Sequence, residues 1–134
     1  VCSVYALCSA NAATPSVQLI ATQAQVIEVA SGFGFLEGPV ADQLGNLFFT
    51  DINNNIVHKM TANGLISAAY SPSNHANGLT LDLDGSLLIC EQSGQRISKL
   101  AADGSVSMVV NTYADKPFNS PNDLWVNPNG SIYF

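Results

Sequence analysis

Basic side chains are scarce in this chain of 134 residues, which has four Lys and Arg residues against ten Asp and Glu residues and a formal net charge of −6. A surface that binds nucleic acid needs a positively charged face, so this balance argues against a nucleic-acid partner. It is compatible with a hard cation or a neutral small molecule as ligand. Charged residues make up only 10% of the chain and hydrophobic residues 47%, which argues against disorder.

Cysteines and long apolar runs are also few. The three cysteines, Cys2, Cys8 and Cys90, do not have the spacing of zinc ligands. Cys90 ends the apolar run that begins at Leu87, and free cysteine is among the most buried residue types, so we expect a buried thiol. The apolar run at the N-terminus is much shorter than the roughly 20 residues of a membrane-spanning helix, and no membrane span is expected.

Residues 1–25 do not share the pattern of the later chain. The mostly apolar run from Val1 to Cys8 is followed by Ala10-Asn11-Ala12, a small-x-small site typical of signal-peptidase cleavage. We therefore predict the tail of a secretory signal peptide, a mature start near Ala13, and a periplasmic or secreted protein. The alternative is a disordered, slightly apolar leader with no targeting role.

The segment from Glu37 to Asp51 sets a plan that recurs from Asn77 to Glu91 and from Asn122 to Phe134. In each copy a polar, oxygen-bearing residue stands eight positions before a turn glycine. These glycines are Gly45, Gly85 and Gly130. The first step of the repeat is 40 residues and the second is 45, with the five extra residues in the loop 111–121.

Each repeat contains four short β runs separated by turns. In the second repeat we predict strands at Leu79–Leu83, Ser86–Cys90, Arg96–Leu100 and Val106–Val110. Another strand is expected at Val26–Val29, followed by a flexible approach over residues 31–34. Four antiparallel strands in about 40 residues are typical of a propeller blade. We therefore predict an all-β chain whose residues 26–134 form two blades and the start of a third; a small open β-meander is the alternative.

Three equivalent residues are candidates for a site. The first strand of a propeller blade lines the central channel, so Glu37, Asn77 and Asn122 should converge at one mouth of it. Carboxylate and amide oxygens suit Ca²⁺ or Mg²⁺ better than soft metals. The alternative is that these side chains cap strand ends or satisfy turns.

Other polar and aromatic residues have simpler interpretations. Asp51 and Glu91 follow the second strand of their blades and should tie turns. Trp125 and Tyr133 are expected in the core, and His58 is given no role. His75 stands two residues before Asn77 on the loop that leads to the channel, where it either contacts substrate or is a solvated loop residue.

Several segments together resemble the regucalcin/gluconolactonase/luciferin-regenerating-enzyme family over about residues 33–134. They are Phe35-Leu36-Glu37-Gly38-Pro39-Val40, Asn77-Gly78-Leu79 followed by Asp84-Gly85, Ile89-Cys90-Glu91, and Ser120-Pro121-Asn122-Asp123-Leu124 followed by Ile132-Tyr133-Phe134. The resemblance implies a six-bladed propeller with a divalent metal in its channel. Calcium is the expected ion, with Mg²⁺ or Zn²⁺ as alternatives. Many members of the family hydrolyse lactones.

The resemblance also implies roles for individual residues. Glu37 matches the first-blade carboxylate that binds the metal, and Asn122 matches a third-blade Asn that contacts metal or substrate. Asp123 matches a neighbouring acid that serves in proton transfer in some relatives. Asn77 lies on the second-blade motif and is the candidate for substrate binding. The further ligands of the family, an Asn and an Asp from later blades, would lie beyond Phe134.

The leading functional hypothesis is a metal-dependent hydrolase that opens a sugar lactone or another small lactone. A bound metal would polarise the lactone carbonyl and acidify a water molecule, and a carboxylate would move the proton. The alternatives are a non-catalytic propeller that binds a ligand or partner, and another hydrolase of the phosphotriesterase-like or strictosidine-synthase-like kind. We expect the chain to be part of a longer protein, and these 134 residues alone to be inactive and poorly stable because of exposed strand edges.

Overall fold

The computed structural model describes residues 2–7, 20–21 and 23–134, and every regular element in them is a β-strand. In chain order the strands are β1 (Cys2–Leu7), β2 (Val26–Phe33), β3 (Leu36–Ala41), β4 (Leu47–Asp51), β5 (Ile56–Met60), β6 (Ile66–Tyr70), β7 (Ala76–Leu81), β8 (Leu87–Glu91), β9 (Arg96–Leu100), β10 (Val106–Val110), β11 (Thr112–Tyr113), β12 (Lys116–Pro117), β13 (Trp125–Val126) and β14 (Ile132–Tyr133). Within these described ranges no helix is long and apolar enough to cross a membrane.

The strands form the predicted blades. Blade 1 is the four-stranded antiparallel sheet β3-β4-β5-β6, and blade 2 is the equivalent sheet β7-β8-β9-β10. Blade 3 consists of the pair β13-β14 in the described part of the chain. Strand β7, the first of blade 2, packs against both β3 and β13. The first strands of the three blades are therefore neighbours, as in a propeller.

The hairpin turns account for the regular spacing of glycine. The N–H of Gly45 donates to the carbonyl of Asp42 at 3.1 Å, and the N–H of Gly85 donates to that of Asp82 at 2.9 Å. Both glycines have a positive φ, 79° and 83°, a conformation that costs other residues about 1–2 kcal/mol. The same bond recurs at three further turn glycines, Gly64, Gly104 and Gly130.

The core lies between the blades. Leu87 and Ile89 of β8 pack in a cluster with blade 1 residues such as Val57, while Leu88 and Cys90 face a second cluster around Leu124. Successive side chains of a strand point to opposite faces, so β8 supplies both clusters. All five residues of β8 are buried, and the expected burial of the Cys90 thiol is confirmed.

Three strand predictions were wrong at their boundaries, that of β8 by only one residue at each end. β7 begins at Ala76 rather than Leu79, because Asn77 and Gly78 take part in the sheet although their composition suggests a turn. It ends at Leu81, and Leu83 is 64% exposed in the turn that follows. β2 continues to Phe33, so most of the segment predicted as a flexible approach is strand.

The prediction that Trp125 and Tyr133 are core residues was also wrong. Each is 56% exposed, and their rings lie against one another with centroids 5.7 Å apart. Blade 3 has only two short strands among the described residues, so no described strand covers these rings. In the loop 111–121, which carries the five extra residues, the pair β11-β12 forms a small hairpin.

The N-terminal segment contains a strand that the sequence did not predict. β1 pairs antiparallel with β2, with Cys2 opposite Phe33 and Leu7 opposite Val26. The proposed cleavage site Ala10-Asn11-Ala12 lies outside the described residues. The signal-peptide interpretation of residues 1–25 therefore stays a prediction.

Candidate functional site

A β-bulge stands at the start of the inner strand in each complete blade. In blade 1, Glu37 pairs with Thr50 and Val40 pairs with Phe48, so β3 has one more residue than β4 between these pairs. In blade 2 the register shifts in the same way between Ala76 and Leu79. A bulge changes the direction of the side chains beside it. It therefore helps to determine where Glu37 and Asn77 point.

Glycine follows the channel residue in both blades because the blades approach each other closely there. A Cβ on Gly38 would lie 2.8 Å from the Leu79 nitrogen and would collide with the Asn77 carbonyl oxygen. A Cβ on Gly78 would lie 2.6 Å from the Cα of Asp123. Each glycine thus allows one inner strand to pack against the next. In blade 3 the equivalent position is Asp123, whose carboxylate lies against Gly78.

The predicted site residues of the three blades line one pocket, which we call the axial pocket. Its volume is about 350 Å³. It is lined by Glu37, Gly38, Pro39, Asn77, Gly78, Leu79, Asn122, Asp123 and Leu124. The structure therefore brings Glu37, Asn77 and Asn122 together, as the repeat predicted, and it adds Asp123, which the family resemblance had indicated. Asn77 is 7% exposed, whereas the other three are open to solvent.

The axial pocket carries negative charge without a basic partner. Among residues 23–134, neither Glu37 nor Asp123 has a Lys, Arg or His nitrogen within 4.0 Å. Asp123 Oδ1 accepts a hydrogen bond of 2.9 Å from the backbone N–H of Leu124, which leaves Oδ2 for other contacts. An arrangement of two carboxylates with no counter-charge favours a cationic or proton-donating ligand.

A hydroxyl and a thiol stand behind the pocket at equivalent positions of the two blades. The Thr50 hydroxyl lies 3.0 Å from the Glu37 carbonyl oxygen and 2.9 Å from that of Asn77, so it joins blade 1 to blade 2. The equivalent residue in blade 2 is Cys90. Burial, together with the nearby charge of Asp123, raises the pKa of its thiol to about 12. Cys90 is therefore a neutral packing residue at physiological pH.

Asp51 holds the loop that precedes the inner strand of blade 1. It accepts hydrogen bonds from the N–H groups of Gly34 at 2.9 Å and Phe35 at 3.2 Å. Burial opposes ionisation of Asp51, but these donors and Asn54 outweigh it and hold its pKa below the usual value. Because this loop leads directly to Glu37, Asp51 orients the approach to the site.

Glu91 holds the equivalent loop of blade 2, but through different hydrogen-bond partners. It accepts hydrogen bonds of 2.7 Å from the side chain of Asn74 and from Nε of Arg96. Asn74 lies in the loop that leads to Asn77, so this contact places the start of β7. The prediction that Asp51 and Glu91 tie turns is confirmed.

His75 lies apart from the axial pocket. It is exposed and lines a second pocket with Ile52, Gln92, Ser93, Gln95 and Ser120. Its Nδ1 is 3.1 Å from the Ser93 hydroxyl, and its backbone N–H donates to Asn55 Oδ1 at 2.7 Å. The structure thus does not group His75 with Glu37 and Asn122, although it stands two residues from Asn77.

The side chains of the axial pocket offer the oxygen donors that a hard cation prefers. Glu37 offers a carboxylate and Asn122 an amide oxygen, and neither side chain is hydrogen-bonded to another described residue. Oxygen donors of this kind suit Ca²⁺ or Mg²⁺. In the described residues there is no group of three or more His, Cys, Asp and Glu side chains that could hold a metal. A zinc site of the His and Cys type is therefore not built from them.

Sequence reasoning missed the residues that support the site. Gly38, Gly78 and Thr50 determine how closely the inner strands approach, yet none was singled out. A signal was present for the glycines, because an isolated glycine inside a strand marks a bulge or a close backbone approach. For Thr50 no local pattern indicated that its hydroxyl reaches the next blade.

Comparison with known sequences covers this whole region. The SMP-30/Gluconolactonase/LRE-like region matches residues 35–134. A gluconolactonase from Zymomonas mobilis is 34% identical to this chain in an alignment of 137 residues. The alignment covers 90% of this chain and 38% of the relative. The chain therefore spans less than half the length of the curated relative that it matches.

Solved structures agree with the sequence match. A gluconolactonase from Xanthomonas campestris is 28% identical with a TM-score of 0.74, over 78% of this chain and 35% of that protein. A streptogramin B lyase shares the fold at 20% identity and a TM-score of 0.69, over 84% of this chain and 38% of its own. The matched segment holds both blades, the glycines between their inner strands and every residue of the axial pocket, and the chain accordingly belongs to the SMP-30/gluconolactonase/LRE-like family.

Proposed function

We propose that the whole protein that carries this chain is a lactonase, which opens a sugar lactone or another small lactone by attack of water. The observation that supports this most is the axial pocket, where a carboxylate, two amides and a second carboxylate from three blades meet. The gluconolactonases among the relatives support the same class of substrate.

In this proposal Glu37 and Asn122 hold a divalent cation, with Ca²⁺ as the first candidate and Mg²⁺ or Zn²⁺ as alternatives. When bound, such an ion supplies positive charge that polarises a carbonyl group. Glu37 is the stronger of the two donors because it is the only carboxylate among the three aligned positions. Its charge is available to a cation, because no Lys, Arg or His nitrogen of residues 23–134 lies within 4.0 Å of it.

Asp123 moves the proton, and Asn77 orients the substrate. Oδ2 of Asp123 accepts a proton from water as its oxygen attacks the carbonyl carbon, and then returns it to the ring oxygen when the C–O bond breaks. The N–H of Leu124 holds Oδ1, which fixes the direction of the carboxylate. Asn77, with its side chain largely buried in the pocket wall, offers an amide to the lactone.

The test combines calcium titration by calorimetry with proton release from glucono-1,5-lactone, on the whole protein. Glu37→Gln should lower calcium affinity more than Asn122→Leu, and Asn122→Asp should keep calcium binding while it changes turnover. Asp123→Asn should keep calcium binding and lose at least about 100-fold in kcat, the usual contribution of a general base. Glu28→Gln removes one negative charge from an exposed position on β2 and is the matched control.

Three outcomes would contradict the proposal. Activity that is unchanged after chelation would show that no metal ion takes part in the reaction. Equal calcium affinity in wild type and Glu37→Gln would show that Glu37 is not a ligand. Absence of lactone hydrolysis with normal calcium binding would instead favour a propeller that binds a ligand without catalysis.

Export is a separate proposal that rests on the N-terminal sequence alone. An apolar run followed by Ala10-Asn11-Ala12 supports cleavage near Ala13. N-terminal sequencing of protein made with its native leader measures this directly. A retained leader on a cytosolic product would contradict it.

A further inference from the structure

Neighbouring inner strands meet at two junctions beside the axial pocket, and the two junctions use different hydrogen bonds. At the junction of blades 2 and 3, the backbone N–H of Gly78 donates to the Asn122 carbonyl oxygen at 2.7 Å. At the junction of blades 1 and 2, the Thr50 hydroxyl lies 2.9 Å from the Asn77 carbonyl oxygen. Every residue except proline has a backbone N–H, whereas the second bond needs a side chain that donates. The identity of residue 50 therefore matters at its junction.

The Thr50 hydroxyl contacts the backbone of two pocket residues at once. Its oxygen is 3.0 Å from the Glu37 carbonyl oxygen and 2.9 Å from that of Asn77. A hydroxyl has one hydrogen, so the two carbonyl groups share one donor. Thr50 is fully buried and is not among the residues that line the axial pocket. It therefore acts on the pocket through the backbone of Glu37 and Asn77, not by contact with a ligand.

The direction of the Glu37 side chain depends on its own backbone. Glu37 is exposed, and its carboxylate is hydrogen-bonded to none of the residues that the structure describes. It stands at the bulge of β3, where the register shifts between Glu37 and Val40 and the regular ladder is interrupted. The next residue is Gly38, which has no side chain to pack. A hydrogen bond to the Glu37 carbonyl group is thus a direct means of orienting the carboxylate.

The equivalent residue of blade 2 provides an internal comparison. Cys90 is also fully buried, but within the described part of the chain its thiol makes no hydrogen bond, and thiols are weak donors. Asn122 is nevertheless joined to blade 2 through Gly78. This position accordingly tolerates a side chain without a hydroxyl where the backbone supplies the donor.

We propose that Thr50 is a positioning residue whose hydroxyl fixes the Glu37 carboxylate relative to the Asn77 amide across the junction of blades 1 and 2. The inference rests on the proposed function for the ligands of these two side chains, a divalent cation at Glu37 and a lactone at Asn77. The cation and the substrate are then held in register by a group that contacts neither of them.

The first experiment measures calcium affinity by calorimetry on the whole protein without substrate. Thr50→Val keeps the shape of the side chain and removes the hydroxyl, so calcium affinity should fall about tenfold, as expected for one lost buried hydrogen bond. Thr50→Ser keeps the hydroxyl and should retain most of the affinity. Cys90→Val places the same side chain at the equivalent position of blade 2 and is the matched control, with affinity unchanged. If Thr50→Val does not fold, Thr50→Cys, which copies blade 2, takes its place.

Urea unfolding of the same variants separates positioning from a merely structural role. A structural role would lower the free energy of unfolding of Thr50→Val and leave its calcium affinity at the wild-type value. That result would overturn the proposal. An equal loss of calcium affinity in Thr50→Val and Thr50→Ser, or in Thr50→Val and Cys90→Val, would overturn it as well.

The second experiment distinguishes failure of this inference from failure of the proposed function. Crystal structures of the metal-free whole protein are compared for wild type, Thr50→Val and Cys90→Val. The separation between the Glu37 carboxylate and the Asn77 amide should change by more than about 0.5 Å in Thr50→Val, beyond the tolerance of a functional site, and stay unchanged in Cys90→Val. If the wild type binds calcium but hydrolyses no lactone, the lactonase function fails and calorimetry still decides the role of Thr50. If it binds no calcium, the metal assignment fails, and an unchanged separation in Thr50→Val would overturn the positioning role.

Discussion

Blade 1 and blade 2 are built on one sequence plan but are buried very differently. The second strand of blade 2, β8, is buried at all five positions, whereas β4 is only half-buried at Leu47 and Phe48. Blade 2 has described neighbours on both faces, blade 1 on one side and blade 3 on the other. The same pattern of residues therefore becomes a fully enclosed or a partly open sheet according to what packs against it.

The chemistry at equivalent positions also differs, although Asp51 and Glu91 are both fully buried. In blade 1 the loop before the inner strand is held by Asp51 through backbone N–H groups. In blade 2 Glu91 has that place, and Arg96 neutralises it where blade 1 has Ile56. A buried carboxylate needs a counter-charge or several donors. Blade 1 uses neutral donors alone, whereas blade 2 adds the counter-charge of Arg96 to the Asn74 donor. The differences between the blades should affect the unfolding of the whole protein.

The largest effect is expected at the glycines between the inner strands. Gly38→Ala adds a Cβ against the backbone of Asn77 and Leu79 at a φ of 54°, so strain and collision together should cost more than about 3 kcal/mol. Gly85→Ala, where no atom lies within 4 Å, should cost only the strain, about 1–2 kcal/mol. Urea unfolding measures both, and equal costs would show that the blades separate easily.

The second-largest loss of stability is expected when the ion pair between Arg96 and Glu91 in blade 2 is broken. Arg96→Ile copies the residue of blade 1 and leaves Glu91 buried without its cation, which should cost about 3 kcal/mol. Adding Glu91→Gln should recover part of this loss because the buried charge is gone. In blade 1, Asp51→Asn should cost about 1–2 kcal/mol, since only hydrogen bonds to neutral donors are weakened. A loss below that of Asp51→Asn would mean that Arg96 is a surface partner only.

A smaller change in the free energy of unfolding is expected at Thr50 and Cys90, the equivalent residues behind the axial pocket. Thr50→Val removes the hydroxyl that joins the carbonyls of Glu37 and Asn77 and should cost about 1–3 kcal/mol. Cys90→Thr introduces a hydroxyl at the equivalent point of blade 2 and should cost less than that, because the change removes no hydrogen bond of the described residues. If Cys90→Thr is the more damaging change, the two junctions are not equivalent in packing.

The centres of the third strands differ in polarity. Ser98 is the equivalent of His58, and its hydroxyl is the buried side-chain group without a hydrogen-bond partner in the described residues. Ser98→Ala should therefore leave stability unchanged or raise it by up to about 1 kcal/mol. Ser67→Ala on β6, an exposed serine, is the control for loss of a hydroxyl. A clear destabilisation by Ser98→Ala alone would show that Ser98 has a partner.

The smallest expected effect is a pH dependence from blade 1. Burial against Phe33 and Phe49 lowers the pKa of His58 from its usual 6.5, although the charge of Asp51 opposes this. Near pH 6.5 the unfolded chain therefore binds more protons than the folded chain. The contribution of neutral His58 to the free energy of unfolding is present above pH 6.5, and it is lost as the pH falls through the lower pKa of His58 in the folded protein. Melting temperatures of wild type and His58→Phe across pH 5–8 measure it. Identical slopes for the two proteins would contradict it.

The repeat made much of the fold and of the site predictable. Turn glycines such as Gly85 recur with the same geometry, because a tight turn at positive φ needs glycine wherever it occurs. The common spacing from these glycines placed Glu37, Asn77 and Asn122 at one level of their blades, and the axial pocket shows them together. Local rules were sufficient here because each repeat obeys them independently.

Contacts between repeats were not predictable in the same way. The close approach at Gly78 and the reach of Thr50 into the next blade depend on residues that are 27–45 positions apart in the sequence. Trp125 and Tyr133 were misplaced for a related reason, since an aromatic pattern shows only that a face can be covered.

Turns, strand period and the alignment of the oxygen-bearing residues follow from the amino-acid sequence alone, because they depend on backbone conformation and on spacing within one repeat. Tertiary structure alone decided that β8 is enclosed, that Glu91 requires Arg96, and that His75 lies in a pocket beside the one that holds Glu37. Burial and electrostatic partners arise from neighbouring blades, and the distance between two blades in space is not a property of either one's sequence pattern.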